Sequence, residues 1–365
     1  MDKNFKKDNF FIGGEFFFSP RLLLTKPKCN IKRIFKENFP DKYLTYSYGG
    51  YYSLRIIIEH LQIKNNEFIL LPSYLCPSIL IPFKEYNIHY KFYRIKEDLS
   101  IDIDDLLNKY NKHTKAIFFI NYFGFDISET EKQIFLKLKK EGAILIQDIV
   151  QDFYANKDSI IGNYAFNSFR KFFPSEGSVI ISDDFISVKA KGFNKKYFFN
   201  KLLGRYYRYK YYYSNLNKAR FLNAFEKANV SYYANKHVGW NRFDQYILNR
   251  INYCEDAKIR RTNYLFLLKI FYDIALFKDL PDNIVPLAFP IVINNRDEIR
   301  AKLKESNIYC PIHWILTDEI ANNDFKESKN LSEKILSIPI NKKLDYQKAI
   351  LNLKIIINEN QEENL

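Results

Sequence analysis

The sequence predicts an α/β protein with a mainly parallel central sheet covered by helices on both faces, followed by a smaller α+β domain. Three observations support this prediction. Between residues 50 and 181, short apolar segments alternate with helical patterns. The apolar segments show no polar alternation, which is typical of parallel strands that are buried on both faces. After a long helical region, strand and helix patterns alternate again near the C-terminus.

Hydrophobic periodicity defines the order of the predicted elements. Buried strands are predicted at residues 68–71, 89–95, 116–120, 143–146 and 179–181. Helices are predicted between them at residues 51–61, 77–85, 103–110 and 128–140. In a sheet of this kind, functional groups collect at the carboxyl ends of the strands.

The chain of 365 residues is long enough for two domains. A large domain is predicted over residues 1–195, and long helical patterns over residues 196–280 connect it to a small α+β domain at residues 281–365. The small domain is predicted to contain strands at 287–293 and 335–340, and helices at 296–306 and 346–357.

The composition is that of a globular protein, with 47% hydrophobic and 27% charged residues. The four cysteines form no CxxC pair and the histidines show no ligand spacing, which argues against a disulfide framework or a zinc site. No apolar run is long enough to cross a bilayer, and the first residues lack the apolar centre of a signal peptide. We therefore expect a cytoplasmic protein without a bound metal ion.

The net charge is +14, and the most basic stretch is a tyrosine-rich segment at residues 195–213. Such a segment could bind nucleic acid through phosphate contacts and base stacking. No signature of a nucleic-acid-binding module accompanies it, so the favoured interpretation is a helix or loop whose rings pack on the body of the protein. The charge also suits a protein that handles anionic small molecules. We expect no nucleic-acid partner.

Two segments carry side chains that are suited to catalysis. Asp148 ends a predicted buried strand and Gln151 follows it, although an acid in this position is also a common helix cap. Lys171 lies among aromatic residues in the segment 166–178. Apolar surroundings favour the neutral amine, which can form a Schiff base with an aldehyde cofactor. The alternative is a lysine that extends from an aromatic patch into solvent.

A third segment contains two glycines, Gly49 and Gly50, at the start of a predicted helix. The backbone N–H groups and the positive end of the helix dipole at such a start can hold a phosphate group. An ordinary glycine-rich turn is the alternative for this segment taken alone.

In their order along the chain, these segments resemble the DegT/StrS sugar aminotransferases, a family of PLP-dependent enzymes of fold type I in the aspartate aminotransferase superfamily. The resemblance is carried by Gly49-Gly50, residues 71–76 and 121–124, Asp148-Ile-Val-Gln151, and Ser168-Phe-Arg-Lys171 with Gly177. It continues through residues 239–242, 260–264, 312–314 and 337–340, and so covers nearly the whole chain from about residue 45.

The resemblance implies that the cofactor is pyridoxal 5'-phosphate and that Lys171 binds it covalently and moves the proton during transamination. Asp148 would pair with the pyridinium nitrogen and keep it protonated. Gln151 would donate a hydrogen bond near the phenolic oxygen of the cofactor ring.

The resemblance also implies a set of phosphate ligands and a homodimer with active sites at the interface. Ser168, with backbone amides around Gly50 and Tyr51, would hold the cofactor phosphate. Asn241, in the helical region that is expected to form dimer contacts, would reach the phosphate in the neighbouring subunit.

Several positions depart from the family pattern. Tyr51 replaces a small hydroxyl residue, and the spacing from Ser168 to Lys171 is that of a branch with an S-x-R-K-x-x-P motif. The family often stacks an aromatic residue on the cofactor ring where this chain has Cys76, and Tyr74 is the nearby aromatic residue. The stacking residue is therefore left open. The candidate substrate residues are His313 and Tyr122.

The resemblance implies an aminotransferase that takes an amino group from an amino acid, with glutamate expected, and transfers it to an anionic keto substrate. That substrate would be a nucleotide-linked keto-sugar for surface polysaccharide biosynthesis or a small phosphorylated ketone. Two alternatives stay open: a PLP-dependent decarboxylase or dehydratase, and a non-catalytic binding protein with the same fold.

Overall fold

The computed structural model describes residues 11–17, 19–214, 216–235, 238–321, 323–341, 353–354 and 357. Its strands are β1 (Ile12–Gly13), β2 (Tyr43–Ser47), β3 (Phe68–Pro72), β4 (His89–Tyr93), β5 (Thr114–Ile120), β6 (Ile144–Asp148), β7 (Tyr164–Phe166), β8 (Ser178–Ser182), β9 (Ala288–Val292), β10 (Ile308–Tyr309) and β11 (Ile335–Pro339).

The helices of the N-terminal half are α1 (Ile31–Asn38), α2 (Gly50–Leu61), α3 (Leu80–Glu85), α4 (Ile103–Lys109) and α5 (Glu129–Lys140). Those of the C-terminal half are α6 (Lys195–Ser214), α7 (Lys218–Ser231), α8 (Arg242–Leu248), α9 (Tyr253–Ile270), α10 (Arg296–Glu305) and α11 (Lys326–Lys334). A 3₁₀ turn at Pro77–Ile79 precedes α3, so the helix predicted at 77–85 consists of two pieces.

The central sheet has seven strands in the order β2-β8-β7-β6-β5-β3-β4. Strands β3 to β7 are parallel to their neighbours in this group, and β8 is antiparallel to both β7 and β2. The predicted mainly parallel sheet is thus confirmed. The parallel strands β3, β5 and β6 are almost entirely buried, because helices cover both faces of the sheet.

Two strands of this sheet were not predicted, and each has a physical reason. β7 has only three residues, which is too short to show a periodic pattern. β2 lies at the sheet edge, its sequence contains the polar residues Thr45 and Ser47, and most of its residues are only partly buried.

The helical region begins with the basic, tyrosine-rich segment at residues 195–213. This segment was predicted to be a helix or loop that packs on the protein, and it forms the helix α6. Three of its basic side chains are buried and bonded to the rest of the chain. Lys201 pairs with Glu15 at 2.9 Å, and Arg205 pairs with Glu176 at 2.7 Å. Arg208 donates a hydrogen bond to the backbone carbonyl of Gly13.

The C-terminal unit is built on two small sheets. β9 and β11 pair antiparallel, and β10 pairs parallel with β1 from the start of the chain. α10 follows β9 as predicted, whereas α11 was not predicted because its sequence is mostly polar. The helix predicted at 346–357 falls largely outside the residues that the structure describes.

Over the described ranges, no helix combines the length and the apolar character needed to span a membrane. The same part of the chain contains no cluster of three or more histidine, cysteine or acidic side chains arranged to hold a metal ion.

Candidate active site

Two cavities meet at the carboxyl ends of the parallel strands. The smaller, with a volume of about 80 Å³, is lined by the last residues of β5, β6 and β7, which are Ile120, Asp148 and Phe166. The larger, of about 640 Å³, is lined mainly by the N-terminal segment and the C-terminal unit. Arg170 and Lys171 line both cavities. We name them the strand-end cavity and the large cavity.

Asp148 is the final residue of β6, and its carboxylate is buried in the strand-end cavity. The amide of Val150 donates a hydrogen bond to Oδ1 at 2.8 Å. Burial raises the pKa of Asp148 to about 7, and the Val150 hydrogen bond and the positive charge of Lys171 only partly offset this effect. A buried carboxylate with so little compensation is suited to a cationic partner.

Lys171 ends a 3₁₀ turn, Phe169–Lys171, between β7 and β8. The turn is held by a hydrogen bond from the Phe169 amide to the Gly177 carbonyl at 2.9 Å. Burial lowers the pKa of the Lys171 ammonium group and the positive Arg170 lowers it further, whereas Cys76 and Asp148 act in the opposite direction. The net decrease favours the neutral amine, which is the nucleophilic form.

Two buried donors in the strand-end cavity lack hydrogen-bond partners within the described residues. Gln151 accepts a hydrogen bond from the Phe123 amide through Oε1 at 2.7 Å, which leaves Nε2 without a partner. The Ser168 hydroxyl is likewise buried and unbonded. Because burying an unbonded polar group is costly, these atoms indicate a ligand that accepts hydrogen bonds.

The N-terminus of α2 also faces the strand-end cavity, which is lined by Gly50, Tyr51 and Leu54. The N-cap residue Gly49 offers no side chain, so no side chain caps this helix. A Cβ atom on Gly50 would lie 2.9 Å from Val150 Cγ2, so only glycine allows this close approach. Ser168 and the free end of α2 offer donors that suit an anion, and we refer to them as the anion site.

Tyr51 contributes its backbone to this site, not its hydroxyl. The Tyr51 hydroxyl donates to the Glu85 carboxylate at 2.8 Å and accepts a hydrogen bond from Arg55 at 2.7 Å. The phenol is thereby directed along α2, away from the anion site.

Several aromatic residues line the strand-end cavity, among them Phe166, Tyr233 and, from the C-terminal unit, Trp314. Trp314 lines the strand-end cavity together with Cys76, whose Sγ lies 3.0 Å from Ser78 Oγ. Tyr74 and Tyr122 are buried behind the site and line neither cavity. The Tyr122 hydroxyl donates to the Tyr74 carbonyl.

The large cavity is positively charged overall. Besides Arg170 and Lys171, the cations in its wall are Lys201, Arg260, Arg300 and Lys304. The acidic residues in its wall are Glu15 and Asp297, and Lys201 bonds to both carboxylate oxygens of Glu15 at 2.9 Å. This excess of positive charge suits an anionic ligand.

His313 also lines the large cavity, and its Nδ1 lies 2.9 Å from Ser337 Oγ. Burial lowers the pKa of His313 well below its usual value, and the positive charge of Lys171 lowers it further. His313 is therefore neutral at physiological pH. A neutral imidazole can accept or donate a hydrogen bond to a ligand in the cavity.

Asn241 lies outside both cavities within its own chain. It caps α8, because its Oδ1 accepts a hydrogen bond from the Asp244 amide at 2.8 Å. Its expected contact with the phosphate in a neighbouring subunit stays a prediction.

Sequence reasoning missed several residues at this site. Trp314 was quoted only as part of a motif, and Arg170 only as a neighbour of Lys171. The segment Gly13, Gly14, Glu15 and Phe16 was not predicted to take part in the site, yet it lines the large cavity. The adjacency of Arg170 to Lys171 was the one available signal.

Comparison with known proteins reveals similarity in structure only. No family model and no curated protein match the sequence. A DegT/DnrJ/EryC1/StrS aminotransferase from Brucella abortus matches with a TM-score of 0.63 and 15% identity, over 94% of this chain and 91% of that chain. The aminotransferase TlmJ from Streptoalloteichus hindustanus matches with a TM-score of 0.67 and 12% identity, over 95% and 93% of the two chains.

A third structure is described as a sugar aminotransferase from Streptococcus pneumoniae in its PLP form. It matches with a TM-score of 0.66 and 10% identity, over 96% of this chain and 93% of that chain. These matches extend over nearly the full length of each chain, and they confirm the fold-type-I architecture predicted from the resemblance. The chain therefore has the fold of the DegT/DnrJ/EryC1/StrS aminotransferases.

Proposed function

We propose that the protein is a PLP-dependent aminotransferase. The observation that carries this proposal is the presence of Asp148 and Lys171 in one buried cavity at the strand ends, one with a raised and the other with a lowered pKa. The shared fold supports the proposal, because the structures that match are described as aminotransferases, one of them in a PLP form.

The residues of the strand-end cavity fit pyridoxal 5'-phosphate. Asp148 offers a buried carboxylate for a ring nitrogen, and Gln151 offers the unbonded Nε2 for the phenolic oxygen. Ser168 and the free end of α2 offer donors for the phosphate. When bound, PLP supplies an electron sink that stabilises negative charge on the substrate carbon.

Two residues would control protons in this reaction. Asp148, when ionised, holds a proton on the ring nitrogen, because a carboxylate beside a cation favours the charged form of both groups. Lys171 would hold the cofactor covalently through its amine, and the same amine, when free, would serve as the general base that moves the substrate proton. Its lowered pKa favours the neutral amine that both roles need.

The substrates would bind in the large cavity, on the other side of Lys171. We propose glutamate as the amino donor and an anionic keto compound as the acceptor, either a nucleotide-linked keto-sugar for surface polysaccharide biosynthesis or a small phosphorylated ketone. The support is the positive wall of the cavity, including Arg300 and Lys304. Of the two candidate substrate residues, His313 lines this cavity and Tyr122 does not.

We propose a homodimer in which Asn241 of one subunit reaches the site of the other. We also propose that the enzyme is cytoplasmic. Its chain would have three parts, a large domain, a helical connection and a small domain, with boundaries near residues 195 and 280. The pairing of β1 with β10 supports placing residues 12–13 with the C-terminal part.

The test is the visible absorption spectrum of the purified protein with PLP, before and after addition of glutamate. We expect a yellow band that bleaches with glutamate, together with formation of 2-oxoglutarate. Lys171→Ala is expected to lack the band, while Lys304→Ala, a lysine of the large cavity only, keeps it. A band that glutamate leaves unchanged would indicate a different PLP reaction. The absence of any band would support a binding protein.

A further inference from the structure

Arg170, which is half-buried, differs from the buried arginines among the described residues. Arg55, Arg205 and Arg260 each form an ion pair with a carboxylate. Arg208, Arg250 and Arg296 each donate to a backbone carbonyl. Within the part of the chain that the structure describes, Arg170 forms no hydrogen bond or ion pair of its own. Its guanidinium group instead lies over the ring of Tyr232, 4.7 Å from the centroid.

The two carboxylates whose negative charges act on Arg170, those of Glu176 and Glu15, are already bound by other cations. Glu176 accepts a hydrogen bond from Arg205 at 2.7 Å, and Glu15 accepts two from Lys201. The guanidinium of Arg170 therefore keeps its donors for a ligand in the cavities that it lines.

The position of Tyr232 locates this guanidinium close to the anion site. A Cβ atom on Gly49, the residue before α2, would collide with the Tyr232 hydroxyl. The ring that supports Arg170 thus contacts the start of α2. Along the chain, Arg170 is two residues from Ser168, whose buried hydroxyl lacks a partner among the described residues.

The charge of the strand-end cavity leads to the same assignment. Its lining contains two basic residues, Arg170 and Lys171, and one acidic residue, Asp148. If Lys171 binds the cofactor covalently, Arg170 is the remaining cation that can balance a phosphate dianion. The end of a helix dipole is worth about half an elementary charge, which is too little to balance two negative charges.

We propose that Arg170 binds the phosphate group of the cofactor, together with Ser168 and the N-terminus of α2. This inference rests on the proposed function, because it requires PLP in the strand-end cavity. Arginine suits the role because its planar fork can donate two parallel hydrogen bonds to phosphate oxygens. The cation–π contact with Tyr232 holds the side chain in position before the cofactor arrives.

The experiment compares PLP with pyridoxal, which carries the same aldehyde and ring without the phosphate. Each compound is titrated into cofactor-free wild-type protein, Arg170→Gln and Arg170→Lys, and the absorption band of the lysine adduct is followed. For Arg170→Gln we expect PLP to bind about 10- to 100-fold more weakly, the range expected for loss of a charge-assisted hydrogen bond. The affinity for pyridoxal is expected to change by less than about twofold, and Arg170→Lys should recover part of the PLP affinity.

Arg208→Gln is the matched control, because Arg208 also lies over a tyrosine ring, that of Tyr212, and lines neither cavity. It is expected to leave the affinities for PLP and pyridoxal unchanged. Thermal melting of each variant checks that it is folded, and Arg170→Lys carries the test if Arg170→Gln does not fold.

Two results would overturn the inference while leaving the proposed function intact. An equal loss of PLP and pyridoxal binding in Arg170→Gln would mean that Arg170 acts through Lys171. If Arg170→Gln binds both PLP and pyridoxal as wild-type protein does, Arg170 serves a ligand in the large cavity and not the cofactor phosphate. If wild-type protein forms a band with neither compound, the proposed function fails, and this inference fails with it.

Discussion

The hydroxyl group of Tyr74 donates a hydrogen bond to the backbone carbonyl of His313, with a distance of 2.5 Å between the oxygens. The same hydroxyl accepts a hydrogen bond from the Trp314 amide at 3.0 Å. Tyr74 follows β3 of the central sheet, whereas His313 and Trp314 belong to the C-terminal unit. One buried phenol thus fixes the loop that places His313 in the large cavity and Trp314 in the strand-end cavity.

Replacing Tyr74 by Phe is expected to lower the free energy of unfolding by about 1–3 kcal/mol, because the change leaves a buried amide and a carbonyl without their partner. Urea denaturation measures this loss. Tyr90→Phe is the control, since the Tyr90 hydroxyl bonds to the exposed carboxylate of Glu319, and it should cost less than about 1 kcal/mol. Equal effects of the two variants would show that Tyr74 does not hold the loop.

Asp148→Asn is expected to stabilise the cofactor-free protein at pH 8 and to have little effect near pH 4. The pKa of Asp148 is raised to about 7 by burial, from an ordinary value of 3.8. Between these values the folded state binds more protons than the unfolded state, so wild-type stability falls as the pH rises. Asn cannot ionise and removes this loss. Thermal melting from pH 4 to pH 8 measures the difference.

Asp183→Asn serves as a control of opposite sign. Burial raises the pKa of Asp183, but the hydrogen bonds and charges of Lys42 and Lys139 outweigh burial and lower it below 3.8. Its ionised form therefore stabilises the fold above the unfolded pKa, and this contribution is lost as the pH falls through the folded value. Asp183→Asn should destabilise the protein at pH 8. A gain of stability there would contradict the argument.

Gly50→Ala is expected to weaken PLP binding by about tenfold, which corresponds to the loss of about one hydrogen bond. The added Cβ would lie 2.9 Å from Val150 Cγ2 and would displace the start of α2 from the anion site. The double variant Gly50→Ala/Val150→Ala removes the contacting methyl group and should recover the affinity. Fluorescence titration with PLP measures both variants. If the double variant binds no better than Gly50→Ala, the contact with Val150 is not the cause.

Gly177→Ala is expected to lower the free energy of unfolding by about 2–4 kcal/mol, through backbone strain and steric overlap together. Gly177 has a φ angle of +134°, and a Cβ atom there would lie 2.6 Å from both Phe169 Cδ2 and Trp240 Nε1. Gly142 is the matched control, since its φ angle is +100° and a Cβ atom would have no neighbour within 4 Å. Urea denaturation should show a smaller loss for Gly142→Ala. If the two variants lose the same free energy of unfolding, backbone strain and not steric overlap causes the whole effect.

Lys304→Ala is expected to raise the KM for an anionic keto substrate by about tenfold with little change in kcat, because it removes a charge that binds substrate and transition state alike. Lys302, on the same helix and outside both cavities, is the control. Steady-state kinetics with the acceptor varied gives both parameters. A fall in kcat at unchanged KM would assign Lys304 to the chemical step.

Local pattern predicted the sheet well, because its buried parallel strands are runs of apolar residues between periodic helices. It failed for β7, with three residues, and for the partly exposed edge strand β2. The helix α11 was not predicted either, because its sequence is mostly polar and shows little hydrophobic periodicity. A pattern of hydrophobicity reports burial, so elements that are short or only partly buried leave little trace in it.

The site could be predicted where its residues follow strand ends or open a helix. Asp148, Gln151, Ser168, Lys171 and Gly50 all line the strand-end cavity. The position of Trp314 could not be predicted, because it depends on the Tyr74 contact across 240 residues of sequence. Tyr74 was one candidate near the cofactor ring, with the stacking residue left open, and its hydroxyl bonds to the loop that carries Trp314. Sequence distance conceals contacts of this kind, since no local periodicity encodes them.

The antiparallel pairing of β7 with β8 has a consequence for the loop that carries Lys171. The chain leaves β7, turns through the lysine and enters the neighbouring strand, so both ends of the loop are anchored in the same sheet. The amide of Val179 also bonds to Asn167 Oδ1 across its base. A residue inserted between Ser168 and Lys171 is therefore expected to move the amine relative to Asp148. The length of this loop therefore sets the reach of the nucleophile as directly as the identity of Lys171 does.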